Sequence, residues 1–195
     1  MEEYQAAWMM CSTRDILRRI QLGNVAFANF SKIWLQGRRI SLKRKLQVYE
    51  AQVVSVLMYG SCSWSAPKHI FEKLNTCHRR HLRSILNVRW PHVMTNKTLY
   101  EICEATPLTD RVDLARWTML GHMLRLPENS PAAVALSYAL DGCQVYRSRR
   151  GRHQTNLFNT IKLDLSERGF KLECLNDLYV VRDRAKKRTE WKELF

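Results

Sequence analysis

SLKRKLQVYEAQVVSVLMYGSCSW, residues 41–64, holds the longest apolar face of the chain. Its apolar residues recur at steps of three and four, which places them on one side of a helix. They are Leu42, Leu46, Tyr49, Val53, Val56 and Tyr59. We predict a core helix that Ser41 caps with its hydroxyl and that Gly60 ends by taking the left-handed conformation.

Three cations, Lys43, Arg44 and Lys45, fall in the first turn of this predicted helix. The positive end of the helix macrodipole disfavours each cation there by roughly 0.3–1 kcal/mol. Free amide N–H groups and three cations would then point at one place, and this arrangement is typical of an anion site. The alternative interpretation is that long basic side chains simply solvate an exposed helix end.

The composition is that of a basic globular protein. The chain has 195 residues, of which 46% are hydrophobic and 26% are charged, and a chain of this length buries about 70% of its unfolded surface. Lys and Arg number 32 against 18 Asp and Glu, for a net charge of +14. A charge of this size favours a polyanionic partner, with nucleic acid first and an anionic membrane second.

The hydrophobic runs and the cysteines bear on the compartment. The longest runs are only a few residues, as at 56–59, so we predict no membrane-spanning segment. The start of the chain does not resemble a signal peptide. The six cysteines are well separated and form no CxxC motif. We therefore expect reduced thiols in a nuclear or cytoplasmic protein.

Two further amphipathic helices flank the central one. The first is predicted to begin at Ser12 and to present Ile16, Ile20, Gly23, Phe27, Phe30 and Trp34 to a neighbouring helix. Gly23 would let the backbone of that neighbour approach closely, although it costs about 1 kcal/mol relative to Ala. Arg18 and Arg19 lie outside this stripe and, as cations, are candidate phosphate contacts or an ordinary solvated face.

The second flanking helix is predicted to begin at residues 65–67, because Pro is tolerated in a first turn. Its buried side is predicted to be Ile70, Leu74, Cys77, His81 and Ile85. Its other side is basic and comprises Lys68, Lys73, Arg79, Arg80 and Arg83, with His69 and His78. A basic amphipathic helix suits a phosphate backbone or, as a second choice, a membrane surface.

Shorter helices are predicted after residue 94. They start at Thr95, Asp110 and Ser130-Pro131, and two more run through residues 158–169 and from 178 to the end of the chain. No convincing strand pattern occurs, so we predict an all-α fold, a helical bundle with a smaller C-terminal helical subdomain. YRSRRGRH at 146–153 is rich in arginine and holds Gly151. The predicted domains are residues 12–142, a basic linker at 143–155 and a helical pair at 156–195.

The sequence lacks the patterns that usually carry catalysis or bind metals. It has no Asp-Asp pair, Gly-rich phosphate loop or HExxH motif, so we predict no catalytic residue and no cofactor. Cys77 and His81 are one helical turn apart and could supply two zinc ligands, but two more would have to come from distant residues. We predict no metal site. His122 is expected to be a packed core histidine rather than a general base.

Several blocks of residues, in order along the chain, resemble the region after the palm in reverse transcriptases of non-LTR (LINE-type) retrotransposons. The first run is residues 18–64, with Arg19-Ile20, Ala26-Phe27, Ser41-Leu42-Lys43, Met58-Tyr59-Gly60 and Trp64. The later blocks are HLRSIL at 81–86, Trp90, Thr95-Asn96 and RWTMLGHMLRLPE at 116–128. The resemblance covers about residues 14 to 195. The family's fingers and its palm, with the catalytic Asp pair, have no counterpart in these residues.

The sequence departs from the family pattern at a few positions. His81 stands where the family usually has Cys, His153 follows Gly151-Arg152 in place of Pro, and Leu157 replaces a usual Trp. Near the end, Trp191 comes one helical turn later than the pattern expects, which rotates its side chain by only about 40°.

The resemblance implies a thumb and the helical region after it, which grips an RNA template and DNA primer through their phosphates and joins no nucleotides. It implies no small-molecule substrate, and it leaves the oligomeric state open. The candidate nucleic-acid contacts are Arg18, Arg19, Lys43, Arg44, Lys45, Arg79, Arg80, Arg83, Arg147, Arg149, Arg150 and Arg152. Phosphate contacts of this kind position a protein without reading bases.

Two alternatives to this interpretation stay open. The chain could be a helical interaction module whose cations bind acidic proteins, or a non-functional truncated retroelement product. An enzyme is disfavoured because no paired acid, base or nucleophile is found in the sequence.

Overall fold

The computed structural model describes residues 2–31, 39–137, 157–170 and 175–194. All regular elements in these ranges are helical and none is a strand, so the predicted all-α fold is confirmed. The helices are α1 (Glu2–Phe30), α2 (Leu42–Tyr49), α3 (Ser55–Leu57), α4 (Lys68–Ile85), α5 (Asn96–Cys103), α6 (Leu108–Arg125), α7 (described over 131–137), α8 (Leu157–Glu167), α9 (Leu175–Lys186) and α10 (Arg188–Glu193).

The chain forms two compact units, Met1–Val112 and Asp113–Phe195, each with its own hydrophobic core. This differs from the predicted division, whose linker at 143–155 falls outside the described residues. Leu136, before that linker, packs in the same core as Ile161, after it. The boundary lies within α6, between Val112 and Asp113, and no Pro or Gly occurs at that point of the helix to mark it.

The central helix of the first unit is interrupted by one wider turn. Glu50–Val54 is π-helical, between α2 and α3, and its hydrogen bonds join residues five apart. Ser41 is the N-cap residue with extended backbone, but its side chain makes no capping bond, so that part of the prediction is wrong. Gly60 has φ +74° and takes the predicted left-handed conformation.

The π turn changes which residues of the central helix face the core. Tyr49, Val53 and Leu57 follow one another at four-residue steps and are all buried. Four-residue steps align on one face because the wider π turn holds more residues per turn than an α-helix. Tyr59 was predicted to lie on this face, but 68% of it is exposed.

Helix α1 begins ten residues before the predicted start and packs through its predicted stripe. Ile16 is fully buried, and Ile20 and Phe27 pack against the same core. A Cβ added to Gly23 would lie 2.3 Å from Cδ2 of Leu57. The predicted close approach at Gly23 therefore exists, but a leucine side chain makes it rather than a backbone.

Helix α4 has the predicted buried face, since Ile70, Leu74, Cys77, His81 and Ile85 are all buried. His78 was assigned to the basic outer side, but only 2% of it is exposed. In α5, Thr95 accepts a hydrogen bond from the Thr98 amide at 3.2 Å and caps the helix as predicted. On the same helix Leu99 is fully buried, whereas Ile102 is 44% exposed.

The core of the second unit is centred on two stacked tryptophans. The rings of Trp117 in α6 and Trp191 in α10 are parallel, with their centroids 4.1 Å apart. Each indole N–H donates to the carbonyl of the other residue, at 2.9 Å from Trp117 and 3.3 Å from Trp191. Arg116 is only 4% exposed and pairs with Asp164 and Asp113. His122, predicted to be buried, is exposed.

Candidate nucleic-acid interface

A groove of about 600 Å³ runs along the outer side of α4 and the loop that follows it. Its lining contains no carboxylate. It comprises Thr76, Arg79, Arg80, Arg83, Ser84, Val88, Arg89 and Asn96. Three of the predicted phosphate contacts therefore share one concave surface with a fourth arginine.

The side chain of Arg79 is already paired with other residues of the protein. Its guanidinium pairs with the Glu72 carboxylate and donates to the Thr76 hydroxyl at 3.0 Å. This hydrogen bond from Arg79 lowers the pKa of the exposed Glu72 carboxyl. Arg79 is therefore a fixed cation whose charge is partly balanced before any ligand arrives.

Arg80 is exposed and anchored at one nitrogen. Its Nη2 donates to Asn24 Oδ1 of α1 at 2.7 Å. A guanidinium carries five N–H donors in a planar fork, so most of the donors of Arg80 remain for a phosphate. This anchoring presents the charge in one direction at little cost in side-chain entropy.

Arg83 holds the loop at residues 87–95 in place. Its carbonyl accepts from the Val88 amide at 2.9 Å, and its Nη2 donates to Asn96 Oδ1 at 2.7 Å. It also reaches the Met94 carbonyl at 3.4 Å. Arg83 therefore shapes the groove as well as charging it.

Arg89 was missed by the sequence prediction. It is exposed and lines the groove beside Val88. It follows the end of α4, so the helical periodicity that selected Arg79, Arg80 and Arg83 did not extend to it. The sequence did hold one signal for Arg89, which is that it precedes Trp90-Pro91. This dipeptide predicts a turn directly after the basic helix.

The basic first turn of α2 belongs to a different surface. Lys43 and Arg44 are exposed and Lys45 is half-buried. Lys43 lines a second cavity, of about 740 Å³, together with His78 and Leu82. On α4 these two residues lie roughly 130° around the helix from the groove arginines, at about 100° per residue. In the described part of the first unit, the predicted cations therefore do not form a single groove.

The remaining predicted contacts are dispersed or lie outside the described residues. Arg18 is exposed on α1. Arg19 pairs with Asp15 at 3.4 Å, and its guanidinium lies 4.4 Å from the centre of the Tyr59 ring. Arg19 therefore stabilises the exposed tyrosine rather than projecting freely. The arginines at 147, 149, 150 and 152 lie outside the described residues.

A buried polar cluster of Tyr49, His78 and His81 lies between α2 and α4. The Tyr49 hydroxyl is 2.8 Å from Nδ1 of His78 and 3.4 Å from Nδ1 of His81. His81 Nε2 donates to Asn24 Oδ1 at 3.0 Å, since that oxygen can only accept. Burial lowers the pKa of His78 to about 4 and, with Arg80 nearby, the pKa of His81 to about 3. Both imidazoles are therefore neutral at pH 7.

The cluster has neither the ligands of a metal site nor a reactive thiol. Cys77 Sγ lies 3.8 Å from His81 Nε2, and the described residues contain no group of three side chains able to hold a metal ion. Burial raises the pKa of the Cys77 thiol, which disfavours the nucleophilic thiolate. Cys62, Cys77 and Cys103 are free thiols.

Among the described helices, none combines the length and apolarity needed to cross a bilayer. A scan against protein-family models and searches of curated proteins and of solved structures found no match to this chain.

Proposed function

We propose that the chain is a non-catalytic nucleic-acid-binding region, and that it corresponds to the thumb and following helices of a LINE-type reverse transcriptase. The observation that carries the binding proposal is the α4 groove, which gathers Arg79, Arg80, Arg83 and Arg89 around a lining without carboxylates. The origin rests on the ordered motifs from Arg19-Ile20 to the block at 116–128.

Arginine suits this role better than an arbitrary cation. Its planar fork binds phosphate oxygens through two parallel hydrogen bonds, which adds direction to the Coulomb attraction. Three of the four groove arginines are held in place, Arg79 by Glu72, Arg80 by Asn24 and Arg83 by Asn96, so their charges are presented before a ligand binds. A net charge of +14 adds long-range attraction for a polyanion.

Replacing Arg80 and Arg89 together with Gln is expected to weaken binding to an RNA–DNA hybrid duplex. These two are chosen because Arg79 and Arg83 also make contacts that stabilise the fold. Each phosphate contact contributes about 0.9 to the slope of log K against log salt on B-form DNA. The slope should therefore fall by about two, measured by fluorescence anisotropy at several salt concentrations.

The matched control variant also loses two positive charges, but from residues outside the groove. Arg188 and Lys192 are exposed in α10, in the second unit, and their double exchange to Gln should change the slope by less than one. If both variants lower the slope equally, binding depends on the net charge of the protein and not on the groove arginines. If an acidic peptide displaces the hybrid and the hybrid does not displace the peptide, the binding proposal is wrong.

Exchange of Lys43, Arg44 and Lys45 for Gln tests the second basic surface separately. If the first turn of α2 also contacts phosphates, the salt slope falls by roughly two to three units. Circular dichroism of the variant checks that its helices are retained. An unchanged slope in a folded variant removes these three residues from the interface and leaves the α4 groove as the binding surface.

A further inference from the structure

Trp90 and Val93 are exposed apolar side chains in the loop after α4, and each is 90% exposed. The other tryptophans whose side chains are described differ sharply, since Trp64, Trp117 and Trp191 are at most 2% exposed. Tryptophan carries a large apolar surface that is usually buried on folding or on binding. Trp90 is therefore left without the packing that its residue type favours.

The loop is held beside the groove by hydrogen bonds at both of its ends. The His92 amide donates to the Arg89 carbonyl at 2.9 Å and closes a turn around Trp90. Arg83 binds Val88 on one side of the loop and Asn96 on the other. Val88 and Arg89, the two residues before Trp90, line the groove. The backbone at Trp90 is thus held beside the arginine-lined groove, and its indole is exposed there.

We propose that Trp90 stacks on an unpaired base of a single-stranded nucleic acid whose phosphates lie in the α4 groove. This inference rests on the proposed function and adds a preference for unpaired strands. Sites for single strands combine a cationic groove with aromatic side chains on which bases stack. The bases of a duplex are already stacked on one another, so they offer the indole no free face except at an end.

A protein partner fits the loop less well. A tryptophan buries about 150–250 Å², whereas a standard protein interface takes about 800 Å² from each partner. Trp90 and Val93 together fall short of that area. The arginines beside them complement phosphate, and this charge complementarity selects nucleic acid over an apolar partner.

The test uses the full chain with two probes, a 12-nucleotide oligo-dT strand and a blunt mixed-sequence DNA duplex of equal length. Trp90→Ala is expected to weaken oligo-dT binding about 5- to 150-fold, the range for loss of one stacked base. The salt slope should stay unchanged because no cation is lost, and duplex binding should change less than twofold. Trp90→Phe should retain most of the oligo-dT affinity.

The outcomes separate this inference from the proposed function. If Trp90→Ala binds oligo-dT as tightly as the unaltered chain while the Arg80 and Arg89 exchange still lowers the slope, stacking is refuted and groove binding stands. If Trp90→Ala weakens both probes equally, preference for an unpaired base is refuted. If the unaltered chain binds the RNA–DNA hybrid but not oligo-dT, this inference alone falls, and if it binds neither the hybrid nor either probe, the proposed function falls with it. Trp90 packs against little, so circular dichroism should show the same helix content in each variant.

Discussion

Lowering the pH from 7.5 to 4.0 is expected to reduce the free energy of unfolding of the first unit by about 3 kcal/mol through His78 alone. Burial lowers the pKa of His78 from 6.5 to about 4, and the neighbouring Arg111 and Arg79 act in the same direction against Glu50. His81 acts in the same direction, because burial, Arg80 and His78 lower its pKa to about 3.

The direction follows from the protons that each state binds. Below pH 6.5 the histidines of the unfolded chain take up protons, whereas His78 in the folded unit stays neutral until about pH 4. The unfolded state then binds more protons, so stability rises with pH in this range. The contribution is complete above about pH 6.5 and is lost as the pH falls towards 4 for His78 and 3 for His81.

The reactivity of Cys77 reports on this unit, because Cys77 is buried beside the cluster. Pulses of a disulfide reagent active at acidic pH, followed by peptide mass spectrometry, give the urea concentration at which Cys77 becomes accessible. His78→Gln or His81→Gln should reduce the difference between pH 7.5 and 4.0, whereas His122→Gln, in the second unit, should not. An equal pH dependence in all the variants would exclude the two buried histidines as its source.

Replacing Gly121 with Ala is expected to destabilise the second unit by about 2 kcal/mol. An added Cβ would lie 2.4 Å from Nε1 and 2.7 Å from Cδ1 of Trp191. The indole cannot retreat easily, because it is stacked on Trp117 and bonded to its carbonyl. Overpacking of a core costs about 1–3 kcal/mol, and we expect a cost near the upper end here. Ala has a better helix propensity than Gly, which offsets about 1 kcal/mol of that cost.

Urea unfolding followed by tryptophan fluorescence measures this loss, since Trp117 and Trp191 belong to the second core. Thr118→Ala, at an exposed position of the same helix, is the matched control and should cost less than 0.5 kcal/mol. Gly23→Ala should cost less than Gly121→Ala, since its neighbour Leu57 has a flexible side chain. Equal stability of Gly121→Ala and the unaltered chain would show that Trp191 can move aside.

Helix α4 shows how much of the fold follows from residue pattern. Its apolar residues recur regularly and its basic residues occupy the other side, so the buried face was predicted at all five positions. The π turn at Glu50–Val54 could not be predicted in this way, because its residue types are ordinary for a helix. Tyr59 follows that turn and lies outside the core, whereas helical periodicity had predicted it to lie inside.

His78 and Arg89 show why the candidate site was only partly predictable. His78 lies within one turn of Leu74 and His81, but as a polar residue it was assigned to solvent. Its burial depends on the hydroxyl of Tyr49, which is 29 residues away in the chain. Arg89 joins the groove because Arg83 folds the next loop back, and no local pattern reports such a contact. The boundary between the two units, within α6, was not predicted either. It depends on which of the two cores the residues of each helical turn pack into, and no local sequence pattern reports such contacts.

The reciprocal bonds between Trp117 and Trp191 have a consequence during synthesis on the ribosome. Every residue of the first unit has been translated once Val112 is added, but the second core lacks its stacked partner until Trp191 follows. At about 5–20 residues per second, those roughly 80 further residues take about 4 to 16 seconds. During that interval Trp117 lacks the ring on which it stacks in the folded second unit, and this is the period in which a chaperone would have most to protect.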